Sequence, residues 1–384
     1  MHIGVEATTL RTQGLGGVWR YTESLIRALG RLASPHRYSL LFLNAFRPWA
    51  RVTPPRPPSP AMRLVEVTSV SNFLFTFFVP MIPHAWNGLT VESFLGPVDV
   101  FHSVNAVVLP QRQGRRVVTV HDLTCLHFPQ FHPWSRRMLF RLSVRRAARF
   151  ADAIIVPSSA TRRDLAERFR AAEEKIRVVP YAQGEHFVPL TSMETMPIIS
   201  RYGLPYCGYL LFVGNIEPRK NLLGLVEAYN RMRRGRRAAP CLAIAGGAGW
   251  KNQAIYRAAA ASPFASDIRF LGRVPEEELP ALMNGALAFV YPSLYEGFGL
   301  PPLEAMACGT PVITSDRSSL PETVGDAGLL VDPEDRAGLA DAMARIVDEK
   351  PLRESLREQG LKQAGRFSWE KTARLTLLVY DSGS

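Results

Sequence analysis

The amino-acid sequence predicts an α/β protein built from two doubly wound domains that face a cleft. The chain has 384 residues, more than one ordinary hydrophobic core holds. Short, continuous apolar runs such as "RVVTVHD" and "YLLFVG" recur in both halves, as in strands buried on both faces. Amphipathic stretches such as "VWRYTESLIRALGRL" separate several of these runs. This alternation of strand and helix predicts parallel sheets covered by helices.

Changes in periodicity and proline content suggest where the domains begin and end. We expect a first domain at residues 1–185 and a second at 206–366. Residues 186–205 between them have weak periodicity and several prolines, which is typical of a linker. A last helix is expected within 367–384, because Ser368 is a suitable N-cap. Residues 47–61 predict a proline-rich loop inside the first domain.

The composition indicates an ordered cytoplasmic protein. The chain is 47% hydrophobic and 21% charged, and its four cysteines match no spacing for a disulfide framework or structural zinc. No apolar run reaches the roughly 18 residues of a membrane span, and the N-terminus does not resemble a signal peptide.

The formal net charge of +12, carried mainly by arginine, has two interpretations. It reflects either a GC-rich genome that favours arginine codons or an anionic partner, such as a membrane surface or phosphorylated substrates. A nucleic-acid partner is not expected, because the sequence contains no basic-aromatic motif of a known reader.

A glycine-rich turn follows the first predicted strand. Gly14, Gly16 and Gly17 precede a helix, so backbone N–H groups could approach an anion there. Tight packing alone would also explain these glycines. A nicotinamide dinucleotide is not expected, since Trp19 occupies the position of the third glycine in that fingerprint.

His121 ends another apolar run, "VVTVHD", with Asp122 beside it. Ligands of open α/β sheets bind at the carboxyl ends of strands, which makes His121 a candidate site residue. A structural histidine bonded to a neighbouring loop would give the same pattern.

The stretch "YLLFVGNIEPRKNL" predicts an anion site. A buried strand ends at Gly214 and Asn215, and Arg219 and Lys220 follow at the start of a helix. A guanidinium can bind two diphosphate oxygens bidentately while the ammonium acts as a point charge. The alternative is a solvated pair of charges.

Two glutamates flank a glycine turn in "YEGFGLPPLEAMACG". Gly297, Gly299 and two prolines place Glu296 in a loop, whereas Glu304 lies one turn inside the following helix. The amides of Phe298, Gly299 and Leu300 are expected to point outward from the turn. Carboxylates and N–H donors together suit a polyhydroxylated ligand.

Taken together, these motifs resemble glycosyltransferase family 4, the retaining sugar-nucleotide transferases of the GT-B fold, which has two Rossmann-like domains facing a cleft. "EGFGLPPLE" is similar to the Glu-x7-Glu motif of that family, and "GNIEPRKN" to its diphosphate-binding segment. "VHDL" and "GLGGVWRYTESL" match its donor-sugar histidine and its N-terminal glycine loop. The last helix resembles the segment that crosses back onto the first domain.

The resemblance implies a role for each matching residue. Arg219 and Lys220 would hold the donor diphosphate, and Glu304 the ribose hydroxyls. Glu296 would bind the donor sugar, and His121 would contact its 6-hydroxyl. Further donor-binding positions are implied at Gly16, Gly17, Gly214, Asn215, Arg273, Val274, Gly297, Phe298, Gly299 and Leu300, with Arg273 and Val274 beside the base.

The implied reaction retains the anomeric configuration and uses no cofactor and no metal, because the two cations supply the charge. The pattern is most similar to bacterial mannosyltransferases of surface polysaccharide or lipopolysaccharide assembly. GDP-mannose is the first expected donor and a UDP-hexose the second, and the expected acceptor is a glycan linked to polyprenyl diphosphate. A soluble acceptor, a sugar-nucleotide epimerase and a non-catalytic binding partner are the alternatives.

Two N-terminal stretches indicate contact with an anionic membrane on its cytoplasmic face. Residues 131–150 combine six arginines with apolar residues, and residues 72–86 are aromatic and apolar. A solvated arginine face and a core helix are the corresponding structural explanations.

Overall fold

The computed structural model describes residues 1–12, 16–43, 54, 56–68, 90–236 and 238–382. Gly14, most of the proline-rich stretch 47–61 and the whole aromatic stretch 72–86 lie outside these ranges. Two compact units are present. The first comprises Met1–Pro129, Pro133–Tyr181 and Ser368–Ser384, and the second comprises Gln130–His132 and Ala182–Phe367.

The strands fall where the apolar runs predict them. In chain order they are β1 (His2–Glu6), β2 (Arg37–Leu43), β3 (Met62–Val67), β4 (Val100–Ser103), β5 (Arg115–Thr119), β6 (Ala153–Val156), β7 (Ile176–Val178), β8 (Tyr209–Val213), β9 (Cys241–Ala245), β10 (Ile268–Gly272), β11 (Ala288–Tyr291), β12 (Val312–Ser315) and β13 (Gly328–Val331).

Helices alternate with these strands. They are α1 (Gly17–Arg31), α2 (Val91–Leu95), α3 (Thr124–His127), α4 (Trp134–Phe150), α5 (Ser159–Phe169), α6 (Ser192–Ile199), α7 (Leu222–Arg233), α8 (Gln253–Ala260), α9 (Leu279–Gly285), α10 (Leu300–Ala307), α11 (Leu320–Val324), α12 (Arg336–Asp348), α13 (Lys350–Ala364) and α14 (Trp369–Asp381). None of the helices in the described ranges is both long enough and apolar enough to cross a bilayer.

The first unit is built on a parallel sheet. Within the described residues its strand order is β3-β2-β1-β4-β5-β6-β7, and each neighbouring pair is parallel. Strands buried on both faces need apolar side chains throughout, and β6 is buried along its whole length. Helices α4 and α5 cover one face through a core cluster that includes Val118, Val144 and Leu165.

The last helix of the chain belongs to this first unit. The Ser368 side chain accepts a hydrogen bond from the Lys371 N–H at 3.1 Å and caps α14, as its position in the sequence predicts. Helix α14 packs on α1. Its Tyr380 hydroxyl lies 2.7 Å from Nδ1 of His102, a histidine that is 0% exposed in β4.

The second unit repeats the doubly wound scheme. Its strand order is β10-β9-β8-β11-β12-β13 across the described residues, again with parallel neighbours. Within this sheet the chain enters at β8, continues outward through β9 to β10, and then crosses back to β11 on the other side of β8. In open α/β sheets, the carboxyl ends of strands at such a reversal form the ligand crevice. The ends of β8 and β11 are therefore the natural place for a site.

The segment expected as a linker, residues 186–205, contains helix α6. Thr191 and Glu194 form a capping box, in which the Thr191 side chain accepts from the Glu194 N–H at 3.3 Å and Glu194 accepts from the Thr191 N–H at 2.8 Å. Helix α6 packs on α9 in the same unit. Proline and weak periodicity therefore did not prevent an ordered, capped helix here.

Candidate active site

Two cations follow strand β8, as the sequence predicts. The strand ends at Val213, a short turn of helix spans Pro218–Lys220, and α7 begins at Leu222. Asn221 joins the two with a left-handed backbone (φ 56°), and its side-chain amide donates to the Pro333 carbonyl at 2.6 Å. The Lys220 ammonium contacts the hydroxyl of Tyr291, the last residue of β11, and so lies at the carboxyl end of the sheet.

Glu296 lies in the loop after β11 and binds both cations through one oxygen. Its Oε1 accepts from Arg219 Nη1 at 2.8 Å and from Lys220 Nζ at 2.6 Å. The same atom accepts from the Tyr291 hydroxyl at 3.0 Å and from Ser293 Oγ at 2.6 Å. Four donors therefore converge on a single carboxylate oxygen.

Neighbouring contacts fix the loop that carries Glu296. The Leu294 N–H donates to the Arg219 carbonyl at 2.9 Å and ties the loop after β11 to the loop after β8. The Glu296 carbonyl accepts from Ser318 Oγ at 2.5 Å and Ser319 Oγ at 2.9 Å. Because its main chain is held from two directions, the carboxylate position is well defined.

The cluster is buried, and its charges are strongly coupled. The side chains of Lys220 and Glu296 are 8% and 13% exposed. Burial alone would raise the pKa of the Glu296 carboxyl, but the charges of Arg219 and Lys220 outweigh it and lower that pKa to about 2. Burial, and then the Arg219 charge, lower the pKa of the Lys220 ammonium, while Glu296 opposes this shift. The ionisation of Lys220 and of Glu296 therefore depends on the charges of their neighbours in the cluster.

Three further residues complete the cluster, and the sequence analysis did not identify them. Glu217 Oε1 accepts from Arg219 Nη2 at 2.7 Å, so the guanidinium lies between two carboxylates. Tyr291 donates to Glu296, and the Lys220 ammonium lies 4.9 Å from the centre of the Tyr291 ring. Ser293 is the third of these residues, and its Oγ donates to Glu296 Oε1 at 2.6 Å. Tyr291 could have been predicted as a site residue, because it is a polar residue at the carboxyl end of a buried strand.

The glycine turn leads into α10 as expected. Gly299 has φ 107°, and a Cβ there would lie 2.8 Å from Leu320 Cδ2, so only glycine fits. The two prolines fall in the first turn of α10. Glu304 is 2% exposed, one turn inside this helix. The Phe298 carbonyl accepts from Thr323 Oγ1 at 2.5 Å, which anchors the turn to α11.

Gly214, a predicted site residue, and Gly246, which the sequence analysis did not identify, let the loops after β8 and β9 touch. A Cβ at Gly246 would lie 1.8 Å from the Gly214 carbonyl oxygen. Hydrogen bonds at this junction run from the Gly214 N–H to the Ala245 carbonyl, at 2.9 Å, and from the Gly246 N–H to the Gly272 carbonyl, at 2.7 Å. The predicted site residue Asn215 follows Gly214 and is exposed.

Arg273 and Val274, the residues expected beside a base, follow the edge strand β10. Arg273 is exposed and Val274 is half-buried. The ends of β8, β9 and β10 lie along the same edge of the sheet, and the bond from Gly246 to Gly272 links the last two. The three loops therefore form a continuous rim of the second unit.

His121 lies in the first unit, beyond the end of β5, with both ring nitrogens engaged. Its Nε2 is 2.7 Å from the Val104 carbonyl, and its Nδ1 is 2.6 Å from the Tyr181 hydroxyl. Because a carbonyl only accepts, Nε2 carries the proton and Nδ1 accepts from Tyr181. Burial lowers the pKa of His121 to about 4, so the ring is neutral at pH 7. A hydrogen bond from this ring to a sugar requires one of these two hydrogen bonds to break.

Gly16 and Gly17 also lie in the first unit, at the start of α1. Both are exposed, and Gly16 has φ 93° as the N-cap residue. A Cβ at either position would have no atom within 4 Å. The backbone conformation at Gly16, rather than packing, explains that glycine.

The second unit thus brings Gly214, Arg219, Lys220 and Glu296 together, with Gly297, Phe298, Gly299, Leu300 and Glu304 on the connected turn and helix. His121, Gly16 and Gly17 belong to the first unit. Across the described ranges, no group of three or more His, Cys, Asp and Glu side chains is arranged to hold a metal ion.

Comparison with known proteins shows the class of this protein. The model for Glycosyltransferase Family 4 matches residues 15–182, and the model for Glycosyl transferases group 1 matches residues 208–363. O-antigen chain mannosyltransferase B of Escherichia coli is 36% identical over 281 residues, which cover 73% of this chain and 74% of that protein.

Solved structures share the fold. Sucrose-phosphate synthase (tll1590) from Thermosynechococcus elongatus superposes with a TM-score of 0.77 at 22% identity, covering 100% of this chain and 98% of that one. Anabaena Alr3699/HepE, crystallised with UDP and glucose, gives 0.74 at 16% identity and covers 100% of both chains. At these identities the likeness is one of fold.

The fold and the matched models define a glycosyltransferase of the GT-B class. The chain belongs to glycosyltransferase family 4, the glycosyl transferases group 1, as the resemblance of its motifs predicts. This assignment makes it an enzyme of sugar transfer and favours transfer over the epimerase considered from the sequence.

Proposed function

We propose that this enzyme transfers mannose from GDP-mannose, with retention of anomeric configuration, to a lipid-linked glycan in bacterial surface polysaccharide or lipopolysaccharide assembly. The observation that carries the proposal is the convergence of Arg219 and Lys220 on one buried carboxylate at the reversal point of the second sheet. The choice of mannose and of an O-antigen-like glycan follows the similarity to O-antigen chain mannosyltransferase B.

In the proposed reaction the bond between the anomeric carbon and the diphosphate oxygen breaks as an acceptor hydroxyl attacks the same face of the sugar. Negative charge develops on the departing diphosphate, and Arg219 and Lys220 stabilise it. Preorganised charges in a buried site are worth more than in water, because they need no reorganisation during reaction. The acceptor proton passes to a diphosphate oxygen, so the products are a glycoside and GDP.

Binding of the donor would exchange partners within the cluster. A diphosphate has to compete with Glu296 for the two cations, since Glu296 Oε1 holds both at 2.6–2.8 Å. A carboxylate released from the cations can accept hydrogen bonds from sugar hydroxyls. Glu296 would then bind the mannose, as the family resemblance implies.

The remaining residues take the roles that the resemblance gives them. Glu304 would bind the ribose hydroxyls, and the rim at Arg273 and Val274 would contact the base. His121 would contact the sugar after release from Val104 or Tyr181, and the Gly16–Gly17 turn would approach a phosphate. These assignments are part of the proposal.

Donor identity can be tested by thermal unfolding in the presence of GDP-mannose, UDP-glucose, ADP-glucose and dTDP-glucose. A ligand at 100 times its Kd stabilises the native state by about 2.7 kcal/mol, so GDP-mannose should give the largest rise in Tm. GDP and GMP serve as controls: GMP lacks the second phosphate and should stabilise the protein far less than GDP does. A largest shift with UDP-glucose would move the proposal to a UDP-hexose donor.

Transfer itself is tested with a lipid-linked mannan acceptor and GDP-mannose. NMR of the product should show the α-anomeric linkage of the donor. A β-linked product would refute retention, and transfer only to a soluble acceptor would refute the lipid-linked substrate. No transfer from any nucleotide sugar that raises the Tm would refute the proposed reaction.

A further inference from the structure

Glu217 directly precedes the turn that carries the two cations, and its backbone is held by a neighbouring loop. The Ile216 N–H donates to the Gly247 carbonyl at 2.9 Å, and the Gly249 N–H donates to the Ile216 carbonyl at 3.1 Å. A Cβ at Gly249 would lie 3.1 Å from the Glu217 Cβ, so the loop after β9 packs directly against Glu217. The backbone that carries this carboxylate therefore has a well-defined position.

The Glu217 carboxylate is paired with Arg219. Its Oε1 accepts from Arg219 Nη2 at 2.7 Å, and each of the two side chains is 15% exposed. Among the described residues, Arg219 is the one side chain that forms an ion pair with this carboxylate. A charge that is largely removed from water needs a partner of opposite sign, and a charge-assisted hydrogen bond of this length has a defined geometry. The pair therefore fixes one end of the guanidinium.

The two terminal nitrogens of Arg219 have different partners. Nη1 donates to the Tyr295 carbonyl at 2.6 Å and to Glu296 Oε1 at 2.8 Å, whereas Nη2 donates to Glu217. Under the proposed function, the donor diphosphate displaces Glu296 from the cations. Glu217 then remains bonded to Arg219 through the other terminal nitrogen, because that contact does not involve Glu296.

The second cation has a different set of partners. Within the described ranges, the Lys220 ammonium bonds Glu296 and the Tyr291 hydroxyl, and no second carboxylate. A guanidinium that binds two diphosphate oxygens bidentately has to be held in one orientation, whereas an ammonium is a point charge that needs no such alignment. A carboxylate partner that stays in place therefore matters for Arg219 in a way that it does not for Lys220.

We propose that Glu217 is a positioning residue, which keeps the Arg219 guanidinium oriented while a diphosphate takes the place of Glu296. The inference rests on the proposed function, because it requires that the donor diphosphate binds Arg219. Glu217 touches neither the sugar nor the diphosphate in this role and acts through the arginine alone. Glutamine at the same position can accept the same hydrogen bond without the charge, so substitution separates orientation from charge.

The test is isothermal titration of the full chain with GDP and UDP, with the variants measured against the nucleotide that binds the wild type more tightly. Glu217→Ala should raise its Kd about tenfold or more, the scale of a lost hydrogen bond to a charged group. Glu217→Gln keeps an acceptor for Nη2 and should stay within about threefold of the wild type. In an Arg219→Met background, Glu217→Ala should change the Kd by less than about twofold, because the group through which Glu217 acts is absent.

Glu227→Ala is the matched control. Glu227 also pairs with an arginine of the second unit, Arg336, at 3.1 Å, but the two side chains are 59% and 39% exposed. The substitution removes the same charge as Glu217→Ala and should leave the Kd within about twofold of the wild type, since exposed ion pairs contribute little. Thermal unfolding of each variant separates a loss of binding from a loss of fold.

Three outcomes would overturn this role and leave the proposed function intact. Tighter binding by both Glu217→Ala and Glu217→Gln would reduce Glu217 to a charge that opposes the diphosphate. Equal weakening by Glu217→Ala with and without Arg219 would show that Glu217 does not act through the arginine. Unchanged binding by Glu217→Ala would leave it a purely structural residue. A wild type that binds neither GDP nor UDP would instead overturn the proposed function and this inference together.

Discussion

Replacing Glu296 by glutamine removes one negative charge from the candidate active-site cluster and keeps the shape of the side chain. The amide oxygen can still accept hydrogen bonds, but Arg219 and Lys220 lose the charge that both of them contact at 2.6–2.8 Å. Lys220 is 7% exposed, so its ammonium cannot turn to bulk water for compensation. We expect the variant to be less stable and much less active than the wild type.

The titration of Glu296 sets the magnitude and its pH dependence. Its pKa is about 2 in the folded protein against an ordinary value of 4.5. A depressed pKa stabilises the folded state above the unfolded pKa, and this stabilisation is lost as the pH falls toward 2. At 1.36 kcal/mol per pKa unit, the contribution is about 3 kcal/mol at pH 7 and about 1 kcal/mol at pH 3.

Urea unfolding at pH 7, 5 and 3 measures this difference. The gap in unfolding free energy between wild type and Glu296→Gln should be nearly constant from pH 7 to 5 and should shrink by about 2 kcal/mol at pH 3. Glu354→Gln is the control: Glu354 pairs with Lys350 at 3.5 Å with both side chains largely exposed, and its loss should cost below about 0.5 kcal/mol. A gap independent of pH, or under 1 kcal/mol at pH 7, would refute the proposed coupling.

Three further changes test other parts of the site. Lys220→Met should lower kcat by about 10²-fold or more, because one preorganised cation is lost; steady-state assays and a melting curve separate this from unfolding. Gly246→Ala should lower the free energy of unfolding, measured in urea, by about 3 kcal/mol or more, because its Cβ would lie 1.8 Å from a carbonyl oxygen. Gly247→Ala is the control: a Cβ there would have no atom within 4 Å, and the free energy of unfolding should change by less than about 0.5 kcal/mol. Tyr181→Phe should lower the free energy of unfolding by about 1 kcal/mol, because it removes the hydrogen bond to Nδ1 of His121. In the wild type, ¹⁵N NMR should show that Nε2 of His121 is protonated and Nδ1 is not.

The sequence predicts the sheets well because strands in a parallel sheet are buried on both faces. Strands such as β6 and β9 are apolar at every position, and each is fully buried. The start of α10 was equally predictable, because Pro301 and Pro302 fit only the first turn of a helix and Gly299 fits only the turn before it. Local residue chemistry determines both features.

The partners of Glu296 could not be predicted in this way. Arg219 and Glu296 are 77 residues apart, and they meet because β8 pairs with β11 across the point where the strand order reverses. Strand order depends on how the whole sheet assembles, and no local pattern encodes it. The same holds for Gly246, where the requirement for glycine comes from a carbonyl on another strand.

The contacts of Glu296 also change how the two recognition motifs are understood. The family resemblance assigns the cations to the diphosphate and the carboxylate to the sugar, as separate functions. In the structure they bind each other, so a ligand that takes the cations must also supply new donors for the carboxylate. The diphosphate group supplies only the first of these needs, because phosphate oxygens accept hydrogen bonds. A sugar diphosphate supplies both, since hexose hydroxyls can donate to the displaced carboxylate. Under the proposed function, the cluster would therefore couple recognition of the diphosphate to recognition of the sugar, which neither motif could achieve alone.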